Sequence, residues 1–244
     1  MTDETRSDRK TPMVSPTSPT GAQQPVAHPD GSSSRQEAGA GETGSTDPAT
    51  TAIVAVDVQR LFTDMVGAPI APGLAEVLPA IGRFLEDGRR AGTTIVLVRS
   101  IIAPDAHSRS TLAWPPFMRV GMAPGAPGTE FDPCLNQQTG DVEVVKQRYS
   151  AFFGTSLDQT LRQRGIQSVV VLGLTTNVCV QSTARDAWQH DYETITLSDC
   201  CAEIGEGSHE ASLMWTSRNF GRVTTSEALA LGWRQRCERD LHEA

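Results

Sequence analysis

The sequence predicts an α/β fold: a three-layer α/β/α domain with a central, mostly parallel sheet of about six strands. Short runs of β-branched residues alternate along the chain with longer segments in which apolar residues recur at helical spacing. The first run, Thr51–Val58, is apolar almost without interruption, as expected for a strand that is buried on both faces. Strands that alternate with helices pair in parallel through right-handed crossovers.

The predicted elements follow one another in a regular order from residue 51. After the first strand, apolar spacing predicts a helix over Leu74–Ala91 that ends at Gly92. The further predicted strands are Thr93–Val98, Asp141–Lys146, Ser168–Leu174, Glu193–Leu197 and Arg222–Thr224. The further predicted helices are Thr155–Arg164, Val178–His190, Ser208–Phe220 and Glu227–His242. Residues 101–140 are rich in Pro and Gly and too irregular to predict regular elements, and the length of this stretch suggests a function.

Residues 1–50 differ from the rest of the chain in composition. They contain no Leu, Ile, Phe, Trp, Tyr or Cys, but 15 Ser/Thr, six Pro and five Gly. Such a segment cannot bury enough apolar surface to offset the ~1–2 kcal/mol per residue that backbone ordering costs. We therefore expect a disordered tail over 1–50 and a single folded domain over 51–244.

The composition argues against several classes of protein. The net charge of −8 argues against nucleic acid as a partner, because phosphates require a basic face. No apolar run approaches the ~18 residues that a membrane span needs, so no membrane partner is expected. The five cysteines have neither zinc-ligand spacing nor a regular disulfide pattern, which favours a reducing cytoplasm.

Three reactive side chains stand where predicted strands end. Asp57 follows the first strand, Lys146 ends the third, and Cys179 lies shortly after the fourth. In open parallel sheets, ligands bind beyond these carboxyl ends. Lys146 is the single lysine of residues 51–244, where every other basic residue is Arg. No glycine-rich phosphate-binding motif follows any strand, so a nucleotide cofactor is not expected.

Cys179 is predicted to lie in the first turn of a helix that Thr176 or Asn177 can cap. Unpaired N–H groups at that position favour a thiolate, so we expect a pKa below the ~8.5 of a free cysteine. The residues alone leave plainer interpretations open. Cys179 can be a small buried apolar residue, Lys146 can extend into water, and Asp57 can cap a turn.

At these positions the sequence resembles the isochorismatase-like cysteine hydrolases, and the resemblance spans about residues 51–230. Val54–Phe62 (VAVDVQRLF) resembles the first strand of that family, with its Asp-x-Gln-x-x-Phe pattern. Lys146–Phe152 (KQRYSAF) resembles the lysine-bearing strand, and Gly173–Ala187 (GLTTNVCVQSTARDA) resembles the nucleophile segment. The resemblance implies a Rossmann-like, isochorismatase-like hydrolase fold.

The resemblance also implies a catalytic triad of Cys179, Asp57 and Lys146. Cys179 would attack a carbonyl carbon, Asp57 would take the thiol proton, and Lys146 would hold both in register. A cis peptide before Thr175 would place the Thr175 and Cys179 N–H groups as an oxyanion hole. Gln59, from the Asp-x-Gln pattern, would contact the residues of this site rather than the substrate.

The closest local likeness is to ureidoacrylate, N-carbamoylsarcosine and biuret amidohydrolases. It implies hydrolysis of a small ureido, carbamoyl or amide substrate with release of ammonia, no cofactor, and a homodimer or homotetramer. Arg119 or Arg148 is a candidate to hold an anionic group of the substrate. The residues expected to face the substrate are Phe62, Trp114, Arg148, Tyr149 and Asn177, with a core role as the alternative for each aromatic residue.

Two other functions stay open. The first is a metal-assisted amidase of the nicotinamidase type, although the dispersed histidines match no such ligand set and no metal is expected. The second is a non-enzymatic interaction module that retains the fold.

Overall fold

The structure is a computed structural model of the chain, and it describes residues 46–64, 71–103, 108–203 and 207–243. Within these residues there are six strands: β1 Thr51–Val56, β2 Thr94–Ser100, β3 Val142–Lys146, β4 Ser168–Leu174, β5 Glu193–Ala202 and β6 Arg222–Thr224. They form one parallel sheet in the order β3-β2-β1-β4-β5-β6. The sheet confirms the predicted fold class.

Helices cover both faces of this sheet. The longer ones are α2 Leu74–Ala91, α6 Gln181–Gln189, α7 Ser208–Asn219 and α8 Ser226–Glu243, and the shorter ones are α1 Arg60–Thr63, α3 Arg109–Ala113, α4 Pro116–Gly121 and α5 Leu157–Gln163. Helix α2 packs against α8, and α6 packs against α7. Because crossovers are right-handed and the chain turns in opposite directions after β1 and after β4, these two pairs lie on opposite faces.

Burial explains which strands have the clearest sequence pattern. Every residue of β1 and β4 is buried, because these strands lie at the centre of the sheet and are covered on both faces. Strand β3 lies at the sheet edge, and its residues alternate between buried and exposed. Lys146 falls on the buried side of β3, together with Val144.

Several predicted boundaries were wrong by a few residues. Strand β1 ends at Val56 rather than Val58, while β2 continues past Val98 to Ser100 and β5 continues past Leu197 to Ala202. The predicted absence of regular elements from residues 101–140 was also wrong, since α3 and α4 lie there. Helices of five and six residues are too short for apolar periodicity to reveal them.

The boundary between the predicted tail and the domain lies earlier than residue 51. The Trp233 indole N–H donates a hydrogen bond of 3.0 Å to the Thr46 hydroxyl, and both residues are buried. Residues Pro48–Thr50 form a 3-10 turn that leads into β1. Residues 46–50 therefore belong to the folded domain, and the rest of the predicted tail, residues 1–45, lies outside the described residues.

In the described part of the chain, no helix is long and apolar enough to cross a membrane.

A glycine lets β1 and β4 approach each other closely beside the carboxyl edge of the sheet. Gly173 has a φ of +117°, and a Cβ atom there would lie 2.1 Å from the Val56 carbonyl oxygen. The pairing of β4 with β5 shifts register between Val171 and Gly173. Only glycine combines this backbone conformation with so short a distance to the neighbouring strand.

We predict that Gly173→Ala destabilises the protein by on the order of 3 kcal/mol, the upper end of what overpacking costs. Urea unfolding followed by circular dichroism measures this change. Gly140→Ala is the matched control, because a Cβ atom at Gly140 meets no atom within 4 Å. Equal stabilities of the two variants would contradict the prediction.

Candidate active site

The site lies where the order of strands in the sheet reverses. The chain runs outward from β1 through β2 to β3, and then returns to β4 on the other side of β1. Asp57 directly follows β1, and Thr175 directly follows β4. Crevices at such reversal points are the usual ligand sites of open parallel sheets. The structure therefore brings together the strand ends that the sequence singled out.

Asp57 is held by its backbone and by both carboxylate oxygens. Its N–H donates to the Val98 carbonyl (2.9 Å), and its φ of +52° turns the chain away from the sheet. The Ser100 hydroxyl donates to Oδ1 (3.0 Å), and the Lys146 ammonium lies 2.7 Å from Oδ2. Asp57 and Lys146 are each only 1% exposed, so the ion pair is shielded from water.

Lys146 reaches Asp57 across an intervening strand. Neighbouring strands lie about 4.8 Å apart, so β3 and β1 are separated by about 10 Å. Ser100 of β2 is directly opposite Lys146 in the register, and its small side chain leaves the path open. The Lys146 Nζ contacts the Ser100 hydroxyl (2.9 Å), the Arg148 carbonyl (3.0 Å) and the Cys179 Sγ (3.5 Å) in addition to Asp57.

Ser100 is a site residue that the sequence reasoning missed. Its hydroxyl accepts a hydrogen bond from Lys146 and donates one to Asp57, so it bridges the ion pair. Residues at strand ends were the signal for the site, but the predicted strand stopped at Val98. Extending that strand by two residues would have placed Ser100 at the same edge as Asp57 and Lys146.

Gln59, which the resemblance implies as a supporting residue of the site, hydrogen-bonds to the end of β2. The side chain is fully buried, and its Oε1 accepts a hydrogen bond from the Ser100 N–H (2.8 Å). Its Nε2 donates to the Gly128 carbonyl (2.9 Å). Gln59 therefore fixes the end of β2, and with it the Ser100 hydroxyl.

Cys179 lies in a single π-helical turn, Thr176–Val180, that precedes α6. The peptide bond between Leu174 and Thr175 is cis, as the resemblance implies. The predicted capping by Thr176 or Asn177 was wrong. The N-cap residue is Thr175, which makes no side-chain hydrogen bond to the turn, and Thr176 and Asn177 have other partners. The Thr176 hydroxyl pairs with His209 Nδ1 (2.9 Å), and the Asn177 N–H donates to a Glu203 carboxylate oxygen (2.7 Å).

The expected lowering of the Cys179 pKa was also wrong. Burial raises the pKa of the Cys179 thiol, and the negative charge of Asp57 raises it further, while Lys146 opposes this change without reversing it. For Lys146, burial lowers the pKa, but attraction to Asp57 and Cys179 outweighs burial and raises it overall. The resting site therefore holds a neutral thiol beside a protonated lysine.

A cavity of about 190 Å³ opens onto this group. It is smaller than the ~300–1,000 Å³ of pockets for drug-sized ligands, so it suits a small molecule. Asp57, Lys146 and Cys179 line it, together with Ser100 and Thr175. The rest of its lining consists of Phe62, Trp114, Met118, Met122, Tyr149, Leu174 and Val178.

Of the residues that we expected to face a substrate, some line the cavity and others do not. Phe62, Trp114 and Tyr149 line the cavity, and the Trp114 indole N–H donates to the Tyr149 hydroxyl (3.1 Å). Arg148 and Asn177 do not line it. The carbonyl of Arg148 holds Lys146, while its guanidinium binds the Gln147 carbonyl (2.7 Å).

Over the described ranges, no group of three or more His, Cys, Asp or Glu side chains is arranged to hold a metal ion.

Known proteins share both the fold and the sequence pattern. The isochorismatase domain matches residues 51–228. A ureidoacrylate amidohydrolase from Methylobacterium radiotolerans is 32% identical over 210 residues, which cover 76% of this chain and 81% of that protein. A cysteine hydrolase structure from Pseudomonas syringae pv. phaseolicola 1448A matches with a TM-score of 0.73 at 30% identity, covering 78% of this chain and 95% of that one. N-carbamoylsarcosine amidase from Thermoplasma acidophilum gives a TM-score of 0.62 at 29% identity, covering 72% and 96%.

We predict that Cys179 forms its thiolate only above the ~8.5 of a free cysteine, because burial and Asp57 both raise its pKa. The ultraviolet absorbance of thiolate, recorded as a difference between the protein and Cys179→Ala during a pH titration, measures this. A titration step near neutral pH that disappears in Cys179→Ala would be inconsistent with the geometry of the site.

Proposed function

Because this chain belongs to the isochorismatase family, we propose that it is a cysteine-dependent amidohydrolase that cleaves a C–N bond of a small amide, ureido or carbamoyl substrate. One observation carries the proposal. The Lys146 ammonium contacts both the Asp57 carboxylate (2.7 Å) and the Cys179 thiol (3.5 Å) at the wall of a small cavity. A nucleophile, a base and a positioning group are the parts that covalent hydrolysis requires.

The first step transfers the thiol proton of Cys179 to the Asp57 carboxylate. The resulting thiolate attacks the carbonyl carbon of the substrate, forming a C–S bond and a tetrahedral oxyanion. The raised pKa of Cys179 supports this order of events, because a base must remove the proton when the substrate is bound. Lys146 holds the carboxylate and stabilises the negative charge on the sulfur.

The oxyanion is bound by the backbone N–H groups of Thr175 and Cys179. Both residues line the cavity, Thr175 as the residue before the π-helical turn and Cys179 within it. The bonds from the turn to Glu203 and His209 support the assignment, because they anchor Asn177 and Thr176 between the two donors. Fixed donors of this kind stabilise developing charge without reorganisation in the transition state.

The second half of the reaction returns the enzyme to its starting state. Asp57 gives its proton to the departing nitrogen, the C–N bond breaks, and ammonia or an amine leaves. A water molecule then attacks the acyl- or carbamoyl-cysteine while Asp57 takes one of its protons. The C–S bond breaks, and the sulfur regains its proton from Asp57.

Three further proposals concern the setting of the enzyme. We propose a homodimer or homotetramer, supported by exposed apolar side chains such as Phe153, Trp188 and Trp215, and tested by light scattering. The five cysteines are free, which supports a reducing cytoplasm. The part of the chain before residue 46 remains a predicted tail.

We predict that the protein releases ammonia from at least one member of a panel of ureido acids, biuret, carbamoylated amino acids and simple amides. Cys179→Ala abolishes this release, because no other group forms the covalent intermediate. The matched control is Cys237→Ala, which removes an exposed cysteine outside the cavity. Full activity in Cys179→Ala would refute the mechanism.

The same assay includes a chelator treatment. Activity is expected to survive it, because Asp57 generates the nucleophile from the protein's own thiol. Loss of activity with the chelator and its recovery with added metal would instead favour a metal-assisted amidase.

We predict that Ser100→Ala lowers kcat/KM by about 10–100-fold, since hydrogen bonds to charged groups contribute about 1.5–3 kcal/mol. The variant loses the bridge between Asp57 and Lys146. Ser100→Thr keeps the hydroxyl and is expected to retain more activity. Equal losses in the two variants would show that packing at this position, rather than the bridge, is what the substitutions disturb.

A further inference from the structure

The described walls of the active-site cavity carry no free positive charge, and this restricts the substrate of the proposed amidohydrolase. Among the described lining residues, Lys146 is the one cationic side chain. Asp57 opposes it within the same lining, so the ion pair leaves no net charge there. Residues 65–70 and 104–107, which lie outside the described residues, contain neither Arg nor Lys.

Lys146 has no capacity left for an anionic substrate. An ammonium group donates three hydrogen bonds. The Lys146 Nζ already contacts four groups, namely Asp57, Ser100, the Arg148 carbonyl and the Cys179 sulfur. A substrate carboxylate could bind Lys146 only by displacing a group that holds the site together.

The two arginines that the sequence offered as anion ligands do not line the cavity. Met118 and Met122 are four residues apart on α4 and its C-cap, so both face the cavity. Arg119 follows Met118 by one residue, which rotates its side chain by about 100° around the helix. The Arg148 guanidinium binds the carbonyl of the neighbouring Gln147 instead.

The remaining walls are apolar. Aromatic rings of Phe62 and Trp114 and the thioethers of Met118 and Met122 surround the space in front of Cys179. Methionine side chains adapt to irregular ligands, and aromatic rings pack against acyl chains or other rings. The Tyr149 hydroxyl, which accepts the Trp114 indole N–H, adds a neutral polar group. A carboxylate placed here would lose its water without gaining a counter-charge.

Resting on the proposed function, we infer that the preferred substrate is a small uncharged carboxamide with an apolar aliphatic or aromatic acyl group, and not an amide that carries a carboxylate. The Cys179 end of the cavity supplies the hydrolytic groups. The apolar end selects the acyl group by burial rather than by an ion pair.

A matched pair of substrates tests this inference. Butyramide and succinamate have the same chain length, but butyramide ends in a methyl group where succinamate ends in a carboxylate. We expect kcat/KM for ammonia release to be at least tenfold higher for butyramide, with no release from either compound in Cys179→Ala. An equal or higher value for succinamate would overturn the inference.

A substitution in the wall provides a second test. Met118→Arg places a cation in the lining, and we expect it to shift the butyramide-to-succinamate ratio of kcat/KM at least tenfold towards succinamate. Val120→Arg is the matched control, because Val120 lies on the same helix, is 69% exposed and does not line the cavity. A shift of the same size in Val120→Arg would contradict the assignment of this wall.

Aldehydes separate failure of this inference from failure of the proposed function. The Cys179 sulfur adds to an aldehyde carbon and the thiol proton passes to the oxygen, giving a reversible thiohemiacetal without any C–N cleavage. We expect butyraldehyde to protect Cys179 from iodoacetamide at lower concentrations than succinate semialdehyde does. The reverse order would overturn the inference even if no amide were hydrolysed, and absence of Cys179-dependent ammonia release would refute the proposed function alone.

Discussion

The buried ion pair of Asp57 and Lys146 constrains three neighbouring strands at once. Removing two charges from water costs several kcal/mol per ion, and this cost is offset only where each charge has good partners. Ser100 supplies one of them to each charge. Because Lys146 must cross β2 to reach Asp57, the middle strand needs a small side chain with a hydroxyl at that position. Gln59 accepts a hydrogen bond from the Ser100 N–H and so holds this strand end in place, which keeps the Ser100 hydroxyl next to the ion pair.

The turn that carries Cys179, the proposed nucleophile, is held by strand β5 and helix α7. Strand β5 runs to Ala202, and its extra length brings Glu203 beneath the turn that carries Cys179. His209, at the start of α7, holds the same turn through Thr176. The two halves of the fold thus contribute different things. Strands β1 and β3 carry the charged side chains of Asp57 and Lys146, whereas β5 and α7 lead to the residues that hold the backbone of the Cys179 turn. The two sets of groups meet between β1 and β4.

The sequence allowed prediction of the layers and of the three reactive side chains, because both follow from short-range patterns. Continuous β-branched runs mark central strands, and an isolated lysine at a strand end stands out against a background of arginine. The prediction of a lowered pKa for the Cys179 thiol was wrong because it considered only the helix terminus. Burial and the charge of Asp57 raise this pKa, and both depend on residues that are distant in sequence but close in the fold. Arg148 was misplaced for a similar reason, since its carbonyl rather than its side chain contacts the site.

The burial of Lys146 also determines where amine chemistry can occur on this protein. The chain has two lysines, Lys10 and Lys146, and Lys146 is 1% exposed in the folded domain. Enzymes that acylate lysine, or that attach another protein through an isopeptide bond, are too large to enter the cavity that Lys146 lines, so they reach that side chain only when the domain opens. Enzymatic acylation of Lys146 would therefore report on opening of the core.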